Sequence, residues 1–64
     1  MTRTEAIESM ENGNKVTHRL FTQEEWMKIT GNKYEFEDGC FCRFDEFWLY
    51  REDESWQDCW SIFS

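Results

Sequence analysis

Basic residues are scarce in this chain. Seven Lys and Arg stand against 14 Asp and Glu, and with the single histidine neutral the formal net charge at pH 7 is −7. Affinity for a phosphate backbone comes chiefly from Lys and Arg displacing counterions, so direct binding of DNA or RNA is disfavoured. Long apolar runs are absent as well. Nothing approaches the ~20 residues a membrane-spanning helix requires, and Met1-Thr2-Arg3-Thr4-Glu5 carries no h-region of a signal peptide. A soluble, intracellular protein without membrane partners is expected. Repeats, linkers and low-complexity segments are missing, which leaves one domain over residues 1–64. Cysteine is sparse and odd in number, at Cys40, Cys42 and Cys59. One residue between the first two strains any bond joining them, and a reducing compartment fits best.

What the chain does have is aromatic mass. Six Phe, 4 Trp and 2 Tyr make up 19% of 64 residues. A domain this small buries only about 60% of the surface its unfolded chain exposes, which excludes a large enzyme with a deep pocket. The rings supply the apolar area that a small core needs to offset chain entropy, so an ordered fold is expected despite the 33% charged fraction. The acids are unevenly placed. Residues 1–32 hold five acids and four bases, net −1, and residues 33–64 hold nine acids and three bases, net −6.

Thr2-Arg3-Thr4-Glu5 is a capping-box pattern and predicts a helix start, with Ala6, Ile7 and Met10 on one stripe and a left-handed stop at Gly13. Lys15 to Phe21 suits a first strand. Thr22-Gln23-Glu24-Glu25 is a second capping box, with Phe21 and Trp26 at staple positions. A helical turn over 23–28 and an extended run from Trp26 to Thr30 both remain open there. Thr30 to Lys33 reads as a turn. Asp38-Gly39 predicts a two-residue hairpin that pairs Phe36 with Phe41 and Tyr34 with Arg43, leaving Cys40, Cys42 and Phe44 with Glu35 and Glu37 on the other face. Residues 45–51 admit a short helix capped by Asp45 or an aromatic strand. Glu52 to Ser55 reads as an exposed turn, and Trp56 to Phe63 as a closing strand. The sum is an α+β domain, one N-terminal helix packed on a small antiparallel sheet.

No arrangement of residues announces catalysis. His18 has no Ser or Cys nucleophile motif around it and is expected on a strand face beside Arg19. Cys40-Phe41-Cys42 with Cys59 and His18 has the wrong spacing for zinc, because strand neighbours two apart sit about 7 Å from each other. No metal and no cofactor are expected. Adjacent acids such as Asp45/Glu46 and Glu52/Asp53/Glu54 do not flank a cleft and read as solvated negative surface, or as a surface that meets a basic partner. Among the four tryptophans Trp60 suits the core, and Trp48 or Trp56 the more accessible role of interface anchor.

Glu5-Ala6-Ile7 with Met10, then Gly13-Asn14-Lys15-Val16, resembles the opening of a family of small phage and prophage proteins that begins E-A-[LI] and continues G-K-K-V. His18 and Arg19 stand at that family's two basic positions and Phe21 at its tryptophan. Asp58-Cys59-Trp60-Ser61-Ile62 is similar to its ending, and about residues 22–55 have no counterpart. The family includes Thoeris anti-defence proteins, which sequester a cyclic nucleotide signal, and an anti-CRISPR inhibitor of a Cas nuclease. The resemblance implies a phage-derived, non-enzymatic protein that blunts immunity in the bacterial host cytoplasm.

Two functions follow as expectations. An inhibitor would set Asp45, Glu46, Glu52, Asp53, Glu54 and Asp58, with Trp56 or Trp48 as anchor, against a basic surface of a defence effector. A nucleotide sponge would use Arg19, with Arg43 or Lys28, for phosphate and Phe21 or Trp26 for the base. The net charge of −7 opposes an anionic ligand and ranks the sponge second. A small sheet with an open edge also invites a second copy, so a homodimer or larger assembly is expected.

Overall fold

The computed structural model describes residues 1–64. Helix α1 spans Arg3–Glu11, followed by strands β1 (Val16–His18), β2 (Met27–Thr30), β3 (Lys33–Phe36) and β4 (Phe41–Arg43). Helix α2 (Phe44–Leu49), a 3₁₀ turn (Glu54–Trp56) and β5 (Trp60–Ile62) complete the chain. The fold is α+β. All five strands form one antiparallel sheet in the order β4-β3-β2-β1-β5. No helix is long and apolar enough to cross a membrane.

Helix α1 starts where the capping box places it. The Thr2 hydroxyl accepts from the Glu5 N–H at 3.2 Å while the Glu5 carboxylate accepts from the Thr2 N–H at 2.8 Å. After Asn12 the backbone turns through Gly13 at φ 93° and re-enters as β1. Ala6 and Met10 are buried against the sheet, and α1 lies over β1, β2 and β5.

The first strand is shorter than its β-favouring residues suggest. The Phe21 N–H donates to the His18 carbonyl at 2.9 Å, and the chain leaves the ladder at Arg19-Leu20. The second capping box closes a turn, not a helix. Thr22 N–H reaches Glu25 Oε1 at 2.8 Å, but the Glu25 carbonyl accepts the Thr17 hydroxyl at 2.8 Å, which ties it to β1, and the chain continues extended as β2. The staple does not form either. Phe21 packs against His18, Trp56 and Trp60, and Trp26 against Phe63.

The β3–β4 hairpin is displaced by one residue from the expected register. The pairs are Lys33 with Arg43, Tyr34 with Cys42 and Glu35 with Phe41. Its loop is the three residues Glu37-Asp38-Gly39, closed by Phe36 N–H to the Cys40 carbonyl and Gly39 N–H to the Phe36 carbonyl, both 2.9 Å. The Asp38 carboxylate accepts from Cys40 N–H at 3.0 Å and Gly39 takes φ 86°, so Asp-Gly supplies the last two loop positions and not the only two. A slip of one residue exchanges faces. Cys42 turns towards the core, and Phe41 and Arg43 turn away from it.

One cluster of Ala6, Met10, Val16, Met27, Tyr34, Phe47, Trp48 and Trp60 forms the core. Residues 44–49 take the helical option, without a side-chain cap from Asp45, because the N-cap position falls on Arg43. Helical spacing then sends Phe47 and Trp48 inward together. Trp48, expected to be accessible, is only 7% exposed, with the Arg3 guanidinium 4.1 Å from its ring centre and its Nε1–H donating to Tyr34 Oη at 2.7 Å. Trp60 is core, as expected.

Candidate functional site

His18 stands on β1, as expected, on the strand's core face, where it is buried. Its ring stacks on Trp56 at 4.3 Å and meets Trp60 edge-on at 4.7 Å. Nδ1 accepts from Leu20 N–H at 3.0 Å, which assigns the proton to Nε2, and Nε2 donates to the Asp58 carbonyl at 2.8 Å. Both nitrogens are therefore held within the fold, and neither addresses a thiol. Asp58 can face the ring because Cys59 adopts a left-handed φ of 70° before Trp60 enters the ladder opposite His18. Burial, then the Glu46 charge, pushes the Cys42 thiol up, and the Asp38 hydrogen bond pushes Cys40 up. Both shifts favour the neutral thiol over the thiolate that metal binding or nucleophilic attack requires. No three His, Cys, Asp or Glu side chains converge on a metal geometry.

The acidic residues separate by environment. Asp45 and Glu46, exposed on the first turn of α2, share the Arg43 guanidinium at 3.1 and 3.4 Å and are partly neutralised. Asp58 accepts from Cys59 N–H at 2.8 Å and lies 3.9 Å from the Met1 ammonium. Glu52, Asp53 and Glu54 are exposed and make no ion pair; Asp53 only accepts the Ser55 hydroxyl at 3.1 Å. Arg3 and Arg51 are engaged elsewhere. Arg3 covers Trp48, and Arg51 lies over Phe47 at 4.2 Å and Trp56 at 5.2 Å while donating to the Phe47 carbonyl.

Trp56, the expected anchor, is half-buried in the ring cluster around His18. The apolar groups that do face solvent beside the free acids are Leu49 and Tyr50, 59% and 82% exposed at the end of α2. Sequence reasoning missed them. The signal existed in the helical spacing, which turns Leu49 about 200° from Phe47 once residues 44–49 are known to be helical, while Tyr50 follows the last helical residue.

The residues of the alternative ligand site do not come together. Arg19 is exposed in the turn after β1, Phe21 packs under it against the core, and Trp26 shares no ring neighbour with Phe21. Trp26 belongs instead to the face of the sheet that the helices leave uncovered. There Lys15 Nζ lies 4.3 Å and Lys28 Nζ 5.9 Å from its ring centre. Compared with protein-family models, with curated proteins and with solved structures, the chain matches none.

Proposed function

We infer that the chain is a non-enzymatic binding protein, a phage-derived inhibitor that docks an acidic surface on a basic surface of a bacterial immune effector. The observation that supports this most is that the unpaired carboxylates of Glu52, Asp53 and Glu54 follow the solvent-facing Leu49 and Tyr50 closely along the chain, all five exposed. Tyrosine with an aliphatic neighbour makes an anchor that is desolvated on docking, and the surrounding charge steers encounter with a basic groove. Asp45, Glu46 and Asp58 extend the same negative potential, at reduced strength where Arg43 and Met1 offset them.

The sponge reading receives less support, since Arg19, Phe21 and Trp26 are dispersed in the protomer. The deciding experiment is capture of tagged protein from bacterial lysate, with bound proteins and released small molecules both identified by mass spectrometry. The inhibitor reading expects one basic effector at stoichiometric yield, lost when Glu52, Asp53 and Glu54 are changed to Lys and reduced by Tyr50→Ala. A nucleotide released on denaturation, with no stoichiometric protein, overturns it.

A further inference from the structure

We propose that the helix-free face of the sheet is a binding surface for single-stranded nucleic acid. This goes beyond the inhibitor reading and rests on the opposite side of the molecule. Strand alternation sends Val16, His18, Met27, Tyr34 and Trp60 to the core, and therefore their neighbours Thr17, Lys28, Lys33, Glu35 and Ser61 to the other face. The register lines up a row across the sheet. Phe41 stands beside Glu35 and Glu35 beside Lys28. Carried one residue beyond the Val16–Met27 and Val16–Ile62 pairs, the same registers bring Lys15 beside Lys28 and Phe63 beside Lys15, and Phe63 N–H donates to the Lys15 carbonyl at 2.9 Å. The row thus runs from one exposed aromatic to another across four strand spacings, on the order of 19 Å.

Charge on this face opposes the charge of the chain. Lys15, Lys28, Lys33 and Arg43 are four of its seven bases, and Glu35 is the one acid that the strands direct there. Glu35 answers Lys28 at 3.9 Å, and Asp45 with Glu46 answers Arg43, which leaves Lys15 and Lys33 without a carboxylate. Like charges set side by side across strands destabilise a sheet. Here Lys15 and Lys28 are not only neighbours but converge on one indole. An anionic ligand offsets that repulsion.

The aromatics select the kind of anion. Phe41 is 54% exposed, and Trp26 and Phe63 are partly exposed 6.5 Å apart. Planar rings interleaved with lysines on an open sheet suit unpaired bases, which stack, with phosphates met by ammonium groups. Duplexes keep their bases stacked on each other and gain nothing from these rings. The net charge of −7 does not forbid this, because screening at physiological salt acts over about 8 Å and the molecule is 21 Å or more across. The unfavourable reading of whole-chain charge averages two faces of opposite sign.

The test is fluorescence anisotropy of fluorescein-labelled dodecathymidine and dodecauridine titrated with the full chain. The two lysines without a carboxylate predict a salt slope near −1.4, a loss of about sevenfold between 50 and 200 mM salt. The triple variant Lys15→Gln, Lys28→Gln, Lys33→Gln is expected to abolish the slope, and Phe41→Ala to weaken binding about fivefold or more through lost stacking. Phe41 is exposed enough that its variant keeps the fold, verified by circular dichroism, and it decides the matter if the triple variant unfolds. No binding at low salt overturns the proposal, as does equal affinity for a duplex of the same length or for the Phe41→Ala chain. So does a change in sedimentation mass with the triple variant in the absence of any oligonucleotide binding, which assigns the face to contacts between copies of the chain.

Discussion

Tyr34 and Trp48 concentrate the polar chemistry of the core. The indole N–H and the phenol oxygen satisfy each other at 2.7 Å inside an apolar cluster, so removing one partner leaves the other buried and unpaired. Tyr34→Phe is expected to cost about 1–3 kcal/mol, read as a lower urea midpoint, and Trp48→Phe combined with it to cost less than the sum of the two. Burial raises the Tyr34 phenol above its ordinary value, outweighing the indole bond that lowers it. The folded chain therefore keeps this proton at pH values where the unfolded chain has released it. Stability from this group is complete below about pH 10, the unfolded value, and falls as pH rises beyond it; in urea titrations from pH 8 to 11 the decline is expected to be shallower for Tyr34→Phe. Cys59 carries a different tension. A left-handed non-glycine costs about 1–2 kcal/mol, while glycine loses roughly 0.4–1 kcal/mol through the entropy of the unfolded chain. Cys59→Gly is expected to be neutral or slightly stabilising, and Cys59→Val destabilising, in thermal melts; a stabilised valine variant would refute the strain.

At the scale of elements, α1 rests on its cap and on the face it buries. Thr2→Ala removes one partner of the box and is expected to cost about 1 kcal/mol, which in a domain of this size is a fall of roughly 4–8 °C in Tm. The other end of α1 has no basic residue in its last turn and carries Glu11 instead. Glu11→Lys is expected to stabilise by about 0.3–1 kcal/mol by answering the helix dipole, visible as a higher urea midpoint. These signals are local, and for that reason they are legible in the sequence: the capping box, the Gly13 stop and the turn at Gly31 appear where residue chemistry places them. The closing strand keeps only Trp60–Ile62 of the expected Trp56 to Phe63, because Glu54–Trp56 winds into a 3₁₀ turn. Register is another matter. Asp38-Gly39 announces a turn but fits both a two-residue and a three-residue loop, and the choice rests on the Asp38 bond to Cys40 and on Tyr34 facing Cys42. Residues 45–51 suit both a helix and a strand by their local pattern, so the outward Leu49 separates from the inward Phe47 and Trp48 only once the helix is known. The sheet face was illegible because its three lysines lie in three separate segments and converge only through strand pairing.

The whole molecule has two unlike sides. Acids surround the helices, bases and rings occupy the bare side of the sheet, and the net figure of −7 describes neither. Leu49→Ser with Tyr50→Ser is expected to leave stability within about 0.5 kcal/mol of the parent, since both side chains face solvent, while lowering capture of a protein partner; unchanged capture would separate this patch from the function inferred for it. Pairing across the sheet also joins distant parts of the chain. β1 shares only the Val16–Met27 pair with β2 but three pairs with β5, and the Met1 amino and carbonyl groups exchange hydrogen bonds with Trp60 at 2.6 and 3.1 Å. Three of the four pairs that β1 makes thus come from residues 60–62. A chain stopped before residue 60 therefore lacks the strand that α1 and β1 both pack against, and Ala6, Met10 and Val16 lose their cover on that side. Such a chain exposes apolar surface to chaperones and proteases, so the first helix and first strand mature only with the strand farthest from them in sequence.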